Sequence, residues 1–166
     1  MSVPKGSQLL VLDPPYQHRL ALAINVGKTV GYGYDAKNDP DDVMIVQRLI
    51  RMINIPTTQQ YERPALTGKI DAVTCFWIFA FQKSRHRYAR GVVVDGLVSP
   101  ARGSTYFKGA PWTIIQLCST ASETAQGDYL QLIMDVSGVS AAILIGQAAD
   151  VIERVKATGA KLLPSF

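Results

Sequence analysis

Hydrolysis of a glycosidic bond needs two carboxylates facing one bond, and acyl transfer needs a nucleophile with a base beside it. Glu62, Asp71, Asp95, Glu123, Asp128 and Asp135 are the candidates for the first task, and no spacing among them sets up a pair. The second task wants a Ser-His-Asp or Cys-His set, and the only histidines are His18 and His86, each remote from a partner at ligand spacing. Cys75 and Cys118 lie in neither a CxxC nor a Cys/His pattern, so they read as buried thiols rather than metal ligands. The expectation is a chain without catalytic residues, metal or cofactor.

Two other clusters could bind rather than react. In TGKIDAVTCFWIFAFQKS, residues 67–84, Phe76, Trp77, Phe79 and Phe81 fall within six positions. As a ligand surface, Phe76 or Trp77 would stack on the apolar face of a sugar ring. As a packed helix, Val73, Trp77, Ile78 and Phe81 would face the preceding helix, with Phe76 and Phe79 turned toward the flanks or a neighbouring chain. The second cluster is basic: Lys83, Arg85, Arg87, Arg90, Arg102 and Lys108 meet only Asp95. This reads as a solvated face, with glycan or peptide carboxylates as the alternative partner. Tyr88 alone is thin support for nucleic acid. Phe76, Trp77, Phe79, Arg85 and Arg87 are therefore the candidate contact residues.

These residues need elements to hold them. A chain of 166 residues, 48% of them hydrophobic, is long enough to bury a sizeable core. Residues 8–12 read as a short strand stopped by Pro14 and Pro15. Leu20, Leu22, Ile24 and Val26 alternate, Gly27-Lys28 could turn the chain, and Val30, Tyr32 and Tyr34 resume the alternation, which predicts a hairpin over 19–34. After the polar connector DAKNDPDD, the spacing of Val43, Val46, Leu49, Ile50 and Ile53 predicts a helix that closes before Pro56. A second helix is expected from about Ala72 to Lys83. TIIQLC, 113–118, reads as a strand, Tyr129, Leu130, Leu132, Ile133 and Val136 as a helix, and about 140–157 as a last helix capped by Gly159. The apolar tract 136–149 is too short to span a bilayer and suits a core helix. The N-terminus lacks the core of a secretory signal.

One device occurs twice. TGKIDAVT, 67–74, and DGLVSPAR, 95–102, each place a glycine, Gly68 or Gly96, where a turn needs positive φ. Ile70 or Val98 then anchors the loop, and Asp71 or Ser99 is set to cap a helix starting at Ala72 or Pro100. Gln47 and Gln82 read as buried amides bonded to loop backbone, and Asp95 as a brace for the turn before Gly96.

Taken together, these motifs resemble the small helical peptidoglycan-binding domain of bacterial and phage cell-wall hydrolases. The resemblance rests on Val43, Val46, Gln47 and Leu49, on Gly68, Ile70, Thr74, Ile78, Ala80, Phe81 and Gln82, and on Val94, Asp95, Gly96, Leu97, Val98 and Pro100. It covers about residues 40–107. With the β-rich stretch before it and the strand and helices after it, the expected chain is α+β in three parts: a β-rich extension over 1–39, the peptidoglycan-binding-like domain over 40–107, and a strand with a helical hairpin over 108–166. The implied role is a noncatalytic structural component of a larger assembly, such as a phage tail or baseplate. Such a protein would be made in the cytoplasm without a signal peptide, would oligomerise in context, and would touch other virion subunits, with peptidoglycan as a further partner. The alternative is a cell-wall binding module that directs a separate hydrolase.

Overall fold

The computed structural model describes residues 9–55, 61–137, 153, 155–157 and 160–164. The fold is α+β, with helices packed on small sheets. Its main sheet has the order β2 (Leu20–Ile24), β1 (Leu9–Tyr16), β7 (Lys161–Pro164). Strand β1, Leu9–Tyr16, is central, and Leu9, Leu10, Val11 and Leu12 are all buried because both faces of the strand are covered. Strand β2, Leu20–Ile24, runs antiparallel to β1, with Leu9 opposite Ile24 and Tyr16 opposite Leu20.

The predicted hairpin over 19–34 is thus replaced by one over Leu9–Ile24, turning at Gln17 and His18, which both take positive φ. Nor do Pro14 and Pro15 stop the first strand. The β1–β2 register is irregular between Val11 and Tyr16, so prolines that donate no ladder hydrogen bond are accommodated there. Gly27 and Lys28 do not close a hairpin either; their amides donate to the Asp42 carboxylate at 2.8 and 2.9 Å. The chain instead continues to β3, Val30–Gly31, which pairs antiparallel with β4, Leu97–Val98.

Helix α1, Pro40–Met52, begins where the sequence sets its signals: Asp39 caps the Asp41 amide, proline occupies the first turn, and Asp41 and Asp42 sit at the positive end of the helix dipole. Val43, Val46, Leu49 and Ile50 are buried as the periodicity requires. Helix α2, Ala72–His86, is capped by Asp71, whose carboxylate accepts from the Thr74 amide at 2.7 Å, and it runs three residues past the predicted end.

Residues 113–118 belong to a helix and not a strand. Helix α3, Thr113–Thr124, buries Ile114, Ile115, Leu117, Cys118 and Ala121 between β2, α1 and the helix that follows it. A six-residue stretch that opens on three β-branched residues fits either structure, and here the apolar pattern continues through Ala121 with helical spacing. Helix α4, Gln126–Ser137, follows at once and buries Tyr129, Leu132, Ile133 and Val136. These two helices also cover the outer edge of β2. The Tyr129 hydroxyl donates to the Leu22 carbonyl at 2.7 Å, and the Cys118 thiol lies 3.5 Å from the Ile24 carbonyl.

The predicted last helix and its Gly159 cap lie mostly outside the described residues, of which 153 and 155–157 are helical. Beyond them, β7, Lys161–Pro164, lies parallel to β1 with Leu10 opposite Lys161, so a strand closes the sheet where only a helix end was expected. Among the described residues no helix is long and apolar enough to cross a membrane.

Candidate functional site

Two buried glutamines organise the loops between the helices. Gln47 on α1 is fully buried. Its Oε1 accepts from the Thr67 and Gly68 amides, both at 3.0 Å, while its Nε2 donates to the Lys69 carbonyl, Thr67 Oγ1 and Thr74 Oγ1. Gln82 on α2 repeats the arrangement one loop later. Its Oε1 accepts from the Gly96 amide at 2.8 Å, and its Nε2 donates to the Leu97 carbonyl, Asp95 Oδ1 and Thr113 Oγ1. Gly68 and Gly96 hold φ of +70° and +75°, a region open to glycine at little cost. Thr67 and Asp95 are equivalent: each side chain also accepts from the amide two residues on, Lys69 or Leu97.

The repeat places the second helix elsewhere than the sequence suggests. Ser99 caps no helix and Pro100 starts none; the residue equivalent to Thr74 is Thr113, at the start of α3. Residues 99–112 are inserted between loop and helix. Within them β5, Tyr106–Phe107, pairs with β6, Ala110–Pro111, around Lys108 and Gly109, both at positive φ. The inserted segment is tied down at its start, where Asn25 exchanges two hydrogen bonds with the Ala101 backbone. It is also tied at Thr105, whose amide donates to the Pro164 carbonyl at 2.7 Å.

This insertion walls a cleft of about 140 Å³ beside the second lock. Asp95, Leu97, Ser99 and Thr113 line it together with Phe107 and Trp112. The two rings stack with centroids 4.8 Å apart, the Trp112 indole donates to the Ser104 carbonyl at 2.9 Å, and the Lys108 ammonium lies 5.3 Å from the Phe107 centroid. At less than the roughly 300 Å³ of an enclosing ligand pocket, the cleft suits the edge of a larger ligand rather than a whole molecule. Polar side chains together with aromatic rings are the composition that holds a molecule with both hydroxyls and an apolar face.

The predicted contact residues do not form one surface. Trp77 is fully buried: its indole donates to the Glu62 carbonyl at 2.8 Å and the Arg63 guanidinium lies 3.9 Å over its ring, so it offers no face to a ligand. Ile78 and Phe81 are buried with it, whereas Val73, expected on the packed face, is exposed. Phe79 is half-buried and lies directly over Gly96, whose missing side chain makes room for the ring. Phe76 remains 43% exposed and makes edge contacts with Tyr61 and Trp77. Arg85 is half-buried and donates to Gln116 Oε1 at 3.2 Å, while Arg87 is exposed. Nine residues at 100° per residue put Phe76 and Arg85 on opposite sides of α2.

Phe107 and Trp112 were missed by sequence reasoning. The signal that could have found them is YFKGAPW, aromatics on both sides of a Lys-Gly turn, which reads as a hairpin presenting rings.

Burial dominates the titrating groups of the interior. It pushes the Cys118 thiol up to about 11, against smaller opposing effects of the Ile24 carbonyl and Tyr129, and raises the Tyr129 hydroxyl well above its ordinary value, with Cys118 adding to the effect. Cys75 is raised by burial and then by Asp71. No group of three or more His, Cys, Asp or Glu among the described residues could hold a metal ion. Comparison with known protein families, characterised proteins and solved structures finds nothing that matches this chain, and its function rests on the geometry above.

Proposed function

We propose that this chain is a noncatalytic peptidoglycan-binding-like protein that serves as a structural component of a larger assembly, a phage tail or baseplate being the setting the resemblance implies. The observation that carries this reading is the repeated lock, Gln47–Gly68–Thr74 and Gln82–Gly96–Thr113. It devotes the polar residues of the resembling segment to holding loops rather than to a reacting centre. Exposed aromatics add support: Tyr32, Tyr34, Tyr61, Phe76, Tyr88 and Phe107 all present apolar surface of the kind that neighbouring subunits cover. Sedimentation over a range of concentrations, with a binding assay on virion or sheath-like particles, tests it. A protein that stays monomeric and ignores such particles sinks the proposal.

A second reading, a cell-wall binding module that directs a separate hydrolase, is favoured by the cleft lined by Asp95 and the Phe107–Trp112 stack. Co-sedimentation with purified sacculi separates the two. Retention that is lost in a Phe107→Ala variant supports wall binding, and a scaffold stays in the supernatant.

A further inference from the structure

A separate cleft of about 340 Å³ opens between α1, the first turns of α4 and the chain before Gly68, lined by Arg48, Arg51, Met52, Leu66, Asp128 and Gln131. Arg48 and Arg51 are three residues apart on α1, and Asp128 and Gln131 three apart on α4, so each helix turns one pair toward the cleft. The arginines are braced. Arg48 Nη1 donates to Asp135 Oδ2 at 2.9 Å, and Gln131 Nε2 donates to the other oxygen of the same carboxylate at 2.9 Å. Arg51 Nη1 donates to the Pro64 carbonyl at 3.1 Å. A guanidinium carries five N–H donors, so each is fixed through one nitrogen with others left to offer.

Among the described residues Asp135 answers Arg48 and the Pro64 carbonyl answers Arg51, whose repulsion adds to burial in lowering the pKa of Arg63. An incoming anion would relieve that repulsion. Met52 supplies a buried apolar lining, Leu66 a 47% exposed one, and Asp128 is the acidic group facing the cleft from the start of α4.

We propose that this cleft binds a small zwitterion, a free amino acid or short peptide. The carboxylate is held by Arg48 and Arg51, the ammonium by Asp128, and the apolar side chain lies on Met52 and Leu66. A volume near the lower end of the ligand-pocket range fits a ligand of that size. The site is independent of the assembly role and of the Phe107 cleft, with which it shares no residue.

Nuclear magnetic resonance on the full chain, with methyl-labelled methionine and amide-labelled glutamine, tests it using alanyl-alanine, its C-terminal amide and its N-acetyl derivative. The dipeptide is expected to shift the Met52 methyl and Gln131 amide saturably. The C-terminal amide should bind about 10-fold or more weakly, because a charge-assisted pair is lost, and the N-acetyl derivative should also weaken. Arg51→Gln should weaken the dipeptide by a similar factor while leaving the amide derivative unchanged, and Asp128→Asn should weaken the dipeptide but not its N-acetyl form. Either variant suffices should the other disturb the remaining spectrum. Unmoved Met52 and Gln131 signals, equal binding of the C-terminal amide, or inorganic phosphate binding as well as the dipeptide would each overturn the proposal.

Discussion

Replacing Gln82 with methionine removes every hydrogen bond that its side chain makes in the second lock while nearly preserving volume. The variant leaves the buried Gly96 amide without its 2.8 Å acceptor and the Leu97 carbonyl without its 3.0 Å donor. An orphaned buried polar group costs roughly 1–3 kcal/mol, so two give about 2–6 kcal/mol with a centre near 4. For a chain of this length about 2–4 °C is lost per kcal/mol, which places the fall in Tm at about 8–16 °C. Urea titration should show a lower midpoint with an unchanged slope, since the surface exposed on unfolding is the same. Gln47→Met should behave alike, because it orphans the Thr67 and Gly68 amides. Thr74, which Gln47 reaches, lies eight residues from Gln82 on α2, or about 12 Å at 1.5 Å per residue. The double variant should therefore lose the sum of the two within about 0.5 kcal/mol. A loss under about 1 kcal/mol in either single variant would refute the claim that these amides hold the loops.

Other perturbations probe the remaining contacts. A Cβ at Gly96 would lie 2.5 Å from Phe79 ring atoms on a backbone at φ +75°. Gly96→Ala should thus cost roughly 1–3 kcal/mol, and a double-mutant cycle with Phe79→Ala should recover part of it. Asp71→Ala should lose about 1 kcal/mol with the Thr74 cap, measurable by thermal melting. Iodoacetamide at pH 8 should modify Cys75 before Cys118 in the native protein, as mass mapping would report. Because the folded Cys118 pKa stands near 11 against 9.0 when unfolded, its contribution is whole below pH 9. It should decline as pH rises toward 11, by on the order of 3 kcal/mol. Asp135 has the opposite sign. Burial alone would raise its carboxyl, but Gln131, Arg48 and the Arg48 charge outweigh that and hold it below the ordinary 3.8. Its stabilisation is present above pH 3.8 and fades as pH falls through the lower folded value, so the stability gap between wild type and Asp135→Asn should close in acid.

The chain by itself determines what is local. Asp39 with Pro40, and Asp71 with the helical spacing that follows it, specify the starts of α1 and α2, because a cap and a helical face are set within a few residues. The two glycines and the two glutamines are equally legible, since a loop at positive φ with buried amides needs a nearby polar side chain to satisfy it. What only the tertiary structure decides are the choices made at long range. Val30 pairs with Val98 and not with β2, and β7 arrives from the far end of the chain to flank β1. Residues 113–118 become helix because β2, α1 and α4 enclose them, a burial no six-residue window displays. Gln82 therefore reaches Thr113 across the inserted hairpin, and Phe107 and Trp112 come to wall a cleft beside Asp95. Periodicity and capping are properties of neighbours in sequence, whereas strand pairing and cleft formation depend on which distant surfaces find each other to bury.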